Sequence, residues 1–271
     1  MVYIVDSSDT DAGRRFVSAV DSLLRENVDK RVAFDCEGVN LSRLGSLELV
    51  SICFPTTEVY LVDLGGTPCP MIVAAVKDLL GSNEAIKIIH DCRMDCDALF
   101  HLHSIKLVNV HDTSCFHHVI TGAEDKNLND VLQYNGLSLN SERDKSVYKN
   151  NPNFWSIRPL TKNMIDWASS DVNKLLFLAD QQLRRIPVAS KSKALVRSTK
   201  YACDTRNMKV CTGLRVRNPG RFIGRGGENI QSLGNRTGTH IYQGDRTRSD
   251  SWYVFYSTDA SLNAVKRRMA M

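Results

Sequence analysis

The order of strand-like and helix-like segments along the front of this chain constrains its fold more than any other feature. VYIVD (2–6) reads as a strand, and TDAGRRFVSAVDSLLREN then places Phe16, Val17, Val20, Leu23 and Leu24 at helical spacing. Three strand-like runs follow, RVAFDCEG, LELVSICF and EVYLVDL, parted only by short polar or glycine-containing turns. The pattern then alternates. MIVAAVKDLL is a helix, IKIIHD a buried strand, MDCDALFHLH a helix and VNVHDT another strand end. TKNMIDWASSDVNKLLFLADQQL reads as one long amphipathic helix. Consecutive strands that pass into strand–helix alternation require a mixed sheet covered by helices, an α/β domain.

Pro187 ends that pattern, and the stretch to about residue 207 is polar, basic and without clear period. It divides the chain into a domain over 1–186, a basic linker over 187–207 and a small unit over 208–271, which the length of 271 residues accommodates. Charge divides at the same place. Residues 1–186 hold 19 Lys and Arg against 25 Asp and Glu, whereas residues 187–271 hold 16 against 5. A mildly acidic front and a strongly basic back suggest modules with different partners, and a basic module meets nucleic acid or an anionic surface. No stretch approaches 18 apolar residues, so no membrane span is expected. The start, MVYIVDSSDTDAG, lacks the basic region of a secretory signal. Eight cysteines without C-x-x-C or paired spacing read as reduced thiols, which places the protein inside the cell, in cytoplasm or nucleus.

Within "RVAFDCEGVN", Asp35 and Glu37 stand directly after the apolar run Val32-Ala33-Phe34. Residues two apart on a strand point to the same face, so the two carboxylates crowd one small volume and repel. The pair is either a metal site or an acidic turn where a strand leaves the core. Asp95, at the start of the helix after IKIIHD, and Asp171, within WASSDV, come from elements that can converge on the same end of a sheet. Asp97 has a sufficient explanation as a charge near a helix N-terminus.

The segments "VAFDCEGVNLSRLGSLELVSICFP", "IKIIHDCRMDCDALFHLHSIKLVNVHDT", "FWSIRPLT" and "WASSDVNKLLFLADQQL" together resemble the successive motifs of DEDD-superfamily, DnaQ-like 3′–5′ exonucleases of the RNase D type, over residues 2–183. The resemblance implies an RNase H-like mixed sheet of five or six strands with flanking helices. It places the family's four metal-binding acids on Asp35, Glu37, Asp95 and Asp171. Two divalent cations, Mg²⁺ or Mn²⁺, would be held about 4 Å apart by such oxygen ligands, as in other two-metal nucleases. The implied reaction is hydrolysis of the 3′-terminal phosphodiester of single-stranded RNA, or single-stranded DNA, releasing nucleoside monophosphates.

One position departs from the family. Four residues before the last Asp the RNase D type carries a Tyr that orients or deprotonates the attacking water, and this chain has Trp167. An indole N–H donates but cannot accept a proton. Losing a positioned acid–base group costs roughly 10²–10⁴-fold in rate. Tyr148 and His90 are chemically able to fill that role, but nothing in the sequence places them there, and loop packing and a strand-end core histidine account for them. The rival expectation is an RNA-binding adaptor that keeps the fold and the metal ligands without turnover.

The basic unit contains "NPGRFIGRGGENIQSLGNRTGTHI", and R-F-I-G-x-x-G-x-x-I followed by β-α-α-β-β-α spacing resembles a type I KH domain, a small α+β fold, over 208–271. In that family a G-x-x-G loop lets a single-stranded backbone of about four nucleotides approach. The resemblance assigns nucleic-acid contact to Arg221, Ile223, Gly224, Arg225, Gly226 and Gly227, with the arginines facing phosphates and Ile223 and Ile230 serving as core and groove floor.

Overall fold

Strand β2 (Arg31–Glu37) lies between β3 (Leu49–Cys53) and β5 (Ile86–Ile89), and the larger unit is organised around it. The computed structural model describes residues 1–26, 29–124, 126–140, 147, 151–244 and 250–271. Two compact units emerge, one holding residues 1–140 and 153–203 and the other built on residues 204–271.

The larger unit adds β1 (Val2–Val5), β4 (Val59–Asp63) and β6 (Val110–Asp112), giving a six-stranded sheet of order β1-β4-β3-β2-β5-β6. β3 runs antiparallel to β2 and β4, while β1, β5 and β6 pair in parallel. The mixed sheet flanked by helices is the expected α/β architecture. Period-two alternation divides β2, β3 and β4 between two faces. Val32, Phe34, Cys36, Val50, Ile52, Tyr60 and Val62 enter one core with Phe16, Val20 and Leu23 of α1 (Asp11–Arg25). Ile72, Val76 and Leu79 of α2 (Pro70–Gly81) and Cys96 and Leu99 of α3 (Arg93–His103) join it. The opposite face carries Ala33, Asp35, Glu37, Leu49, Ser51 and Leu61 and lies under α6 (Lys162–Val172), which packs on β2, β3 and β4. Helices α4 (Thr113–Thr121), α5 (Leu128–Tyr134), α7 (Leu175–Arg185) and α8 (Val188–Asn207) complete the chain order.

Two expectations change. The long helix over TKNMIDWASSDVNKLLFLADQQL is two, α6 and α7, broken at Asn173–Lys174, where the Lys174 ammonium turns to the carbonyls of Ser138 and Leu139. The segment 187–207, read as a connector, is helical. Its buried residues Ala194, Ser198, Tyr201 and Ala202 recur at helical spacing, and Ser198 Oγ accepts from the Asp112 N–H at 3.1 Å. The stripe is made of small and polar residues, so no apolar period marks it. The larger unit therefore runs on through Cys203 instead of ending near residue 186.

The smaller unit runs β7 (Lys209–Arg215), α9 (Pro219–Ile223), α10 (Glu228–Thr237), β8 (His240–Gln243), β9 (Ser251–Tyr256) and α11 (Asp259–Met269). Its sheet is antiparallel throughout, of order β7-β9-β8. Phe222, Leu233, Trp252, Val254, Leu262 and Val265 fill its own core. Among the described residues, no helix is long and apolar enough to cross a membrane.

Candidate metal centre

Asp35 and Glu37 stand at the C-terminal end of β2 on the face under α6, opposite Ser51 and Leu49 of β3. The helix above is fixed at its start. Arg158 forks onto Asp63 at the end of β4, with Nη2 donating to Oδ1 at 2.6 Å, and Thr161 caps α6 by accepting from the Met164 N–H. Asp171, near the far end of that helix, is thereby lowered onto the acidic pair. One carboxylate oxygen from each of Asp35, Glu37 and Asp171 lies within 4.8 Å of the other two. Glu37 is 8% exposed and Asp171 1%.

Both oxygens of Asp171 accept from neutral donors. Asn140 Nδ2 donates to Oδ1 at 2.8 Å, and Trp167 Nε1 donates to Oδ2 at 3.1 Å. The Trp167 ring is buried against Trp155 and Phe154, with centroids at 5.7 and 6.0 Å. It therefore sits beside Asp171, one helical turn away, and presents a donor to that carboxylate.

Asp95 lies outside the group of three whose oxygens are all within 4.8 Å of one another, and its Oδ1 accepts from the Cys36 N–H at 3.1 Å. Asp95 thereby holds the backbone of the residue between Asp35 and Glu37. Burial pushes its carboxyl up to about 8. Asp97 belongs to a different contact: its fully buried carboxylate takes Arg43 Nη2 at 2.6 Å, Arg43 Nε at 3.0 Å and the Arg43 backbone N–H at 2.7 Å, pinning the loop after β2 to α3. His90 places Nδ1 at 2.9 Å from Thr113 Oγ1 and Nε2 at 2.9 Å from the Lys126 carbonyl. Tyr148 lies outside the described residues.

Two participants carried no sequence signal. Asn140 follows a loop, and no spacing links it to Asp171. Ser51 sits in a strand-like run where nothing singled it out, yet its buried hydroxyl lies on the same face as Asp35, directly across the strand pair. The donor set of the cluster is chemically consistent with a hard divalent cation: three carboxylates, all oxygen, whose mutual repulsion a cation relieves.

In the smaller unit, Gly224, Gly226 and Gly227 all have positive φ, of 75°, 59° and 87°. Gly224 is tightly constrained, since a Cβ there would lie 2.7 Å from the Asn229 side chain, which itself donates to the Arg221 carbonyl at 2.8 Å. Arg221 and Arg225 are exposed, and Ile223 and Ile230 pack partly buried against the core.

A model of the 3′–5′ exonuclease family matches residues 16–186. The chain belongs to the 3′–5′ exonuclease family. The match contains Asp35, Glu37, Asp95, Trp167 and Asp171. Among curated relatives, the human piRNA biogenesis protein EXD1 is 26% identical over 179 residues, which are 60% of this chain and 34% of that protein. The chain thus spans about a third of the length of that relative. Among solved structures, Trypanosoma brucei RNase D superposes with a TM-score of 0.63 at 24% identity, covering 76% of this chain and 73% of that one. The complex of that enzyme with RNA U12 gives a TM-score of 0.57 at 25% identity, covering 73% and 70%. The exonuclease-family fold and the acidic cluster therefore coincide in one unit.

Proposed function

We propose that this protein is a metal-dependent 3′–5′ exonuclease that hydrolyses single-stranded nucleic acid, RNA in preference to DNA, from its 3′ end. The convergence of Asp35, Glu37 and Asp171 under α6, in a chain of this family, carries the reading. Those three acids would hold the cation, and Asp95, bonded to the Cys36 N–H between Asp35 and Glu37, would complete the set of four. Bound Mg²⁺ or Mn²⁺, two ions in the full reading, would polarise the scissile phosphate and lower the pKa of the attacking water. The chain's own contribution is placement: α6 excludes bulk water from Asp171, and Trp167 and Asn140 orient its carboxylate.

The smaller unit we assign as a KH domain that grips the strand. Its β-α-α-β-β-α order, its antiparallel sheet and its positive-φ glycine turn flanked by Arg221 and Arg225 support the assignment. Carrying both modules on one chain raises the local concentration of bound strand at the acidic site.

A second reading has its own observation. Trp167 spends its single N–H on Asp171 and offers no acceptor to a water, which suits an RNA-binding adaptor with the nuclease fold and little turnover. Incubating the protein with end-labelled single-stranded RNA and DNA in Mg²⁺, Mn²⁺ or EDTA separates the two. Stepwise shortening from the 3′ end, abolished by EDTA and by Asp35→Asn, is the expected result. Tight RNA binding with no shortening in Mn²⁺ would leave the adaptor.

A further inference from the structure

Asn140 is 4% exposed and is held from three sides. Its backbone N–H donates to Asn129 Oδ1 at 2.8 Å, and its carbonyl accepts from Asn129 Nδ2 at 3.1 Å, so one amide side chain on α5 fixes the peptide in both directions. Lys174, in the break between α6 and α7, donates to Asn140 Oδ1 at 2.8 Å and to the carbonyls of Ser138 and Leu139 at 3.1 Å. An ammonium has donors only, so it settles the sense of the amide: the oxygen must face Lys174 and the NH₂ must face Asp171. The NH₂ then reaches Asp171 Oδ1 at 2.8 Å.

We propose that Asn140 is a positioning residue for Asp171, with Lys174 as the group that sets its amide, and that together they aim the carboxylate for a divalent cation. The inference rests on the reading of Asp35, Glu37 and Asp171 as the metal-holding acids. The physical reason lies in the choice of a neutral donor. A lysine placed directly on Asp171 would orient it equally well but would neutralise it and compete with the cation for the same oxygen. Interposing an amide keeps the geometry and leaves the carboxylate charge for the metal. Trp167 Nε1 acts on the other oxygen in the same way, a second donor without charge.

The test is Mn²⁺ binding to the full chain, followed by the electron paramagnetic resonance of free Mn²⁺, with thermal melting in the absence of metal measured alongside. Asn140→Leu, similar in volume and without a donor, should weaken Mn²⁺ binding roughly 10–100-fold, the usual cost of losing a group that orients a ligand. Lys174→Met should weaken it less, by several-fold, because the amide remains but is free to turn. A merely structural role would lower the melting temperature and leave the affinity of the folded protein unchanged. Wild-type affinity in both variants overturns the proposal, and if Asn140→Leu does not fold, Lys174→Met decides alone. Absence of Mn²⁺ binding by the wild-type protein would instead remove the metal-site reading on which the inference stands.

Discussion

An indole in place of a phenol four residues before Asp171 changes what that position can do. Trp167 Nε1 lies 3.1 Å from Asp171 Oδ2, so its one polar atom is committed to orienting that carboxylate, whereas a phenol both donates and accepts. Trp167→Tyr should therefore raise hydrolysis of single-stranded RNA in Mn²⁺, by up to about 10²-fold if only water orientation is missing. Some stability should be lost, because the smaller ring leaves space beside Trp155 and Phe154; the loss should stay below the roughly 3–5 kcal/mol of a full truncation to Ala. Initial rates at saturating RNA decide it. A brisk wild type that Trp167→Tyr slows would mean that another group positions the water. Asp95 carries the complementary lesson at this scale. The family resemblance put it among four acids, but no sequence pattern reports the contact its carboxylate makes with the Cys36 N–H, which lies past the last residue of β2 that pairs with β5.

At the scale of elements, alternation and 3.6-residue spacing made the six strands, α1, α2, α3 and the acidic end of β2 legible, because aliphatic residues buried in a sheet or under a helix leave a period. Helix α8 left none, since Ala194, Ser198, Tyr201 and Ala202 bury a stripe that reads as polar. The division of α6 from α7 was hidden because the apolar period continues through Asn173–Lys174. His111 shows how such junctions tie elements together. On β6, its ring stacks on Phe116 of α4 at 3.6 Å, and its Nε2 lies 3.0 Å from Gln182 Oε1 of α7. Burial lowers its pKa from 6.5 to about 4; Arg31 and Lys191 push the same way, and Gln182 and Asp180 oppose. The folded state keeps the ring neutral while the unfolded chain takes a proton below 6.5, so stability is full above that pH and is lost as pH falls towards 4. Between pH 7 and 5 the loss should be about 2 kcal/mol. His111→Phe should abolish that part of the slope, measured as the wild-type minus variant difference in urea unfolding at the two pH values. Parallel slopes would show that His111 is already charged in the fold.

The two units of the molecule differ in charge: residues 1–203 hold 23 Lys and Arg against 25 Asp and Glu, and residues 204–271 hold 12 against 5. If the smaller unit binds the strand, its positive charge supplies an attraction that three clustered carboxylates cannot. The glycine turn is where that attraction is expected to be specific. Arg225→Asp combined with Gly226→Asp reverses charge there while sparing the core: Arg225 is exposed, and a Cβ at Gly226 meets no atom within 4 Å. Gly226 has φ +59°, a left-handed conformation that Asp tolerates better than most residues, so folding should survive. Binding of labelled single-stranded RNA, followed by fluorescence anisotropy, should weaken. Its dependence on log salt should also flatten by about 0.7 for each phosphate that the turn no longer neutralises, because each neutralised phosphate on a single strand releases that share of counterion. The flattening distinguishes a missing phosphate partner from a damaged fold, which would reduce the bound fraction without changing the slope of what remains. Unchanged affinity and slope would place the RNA elsewhere on the basic unit and end the reading of this turn as its docking loop.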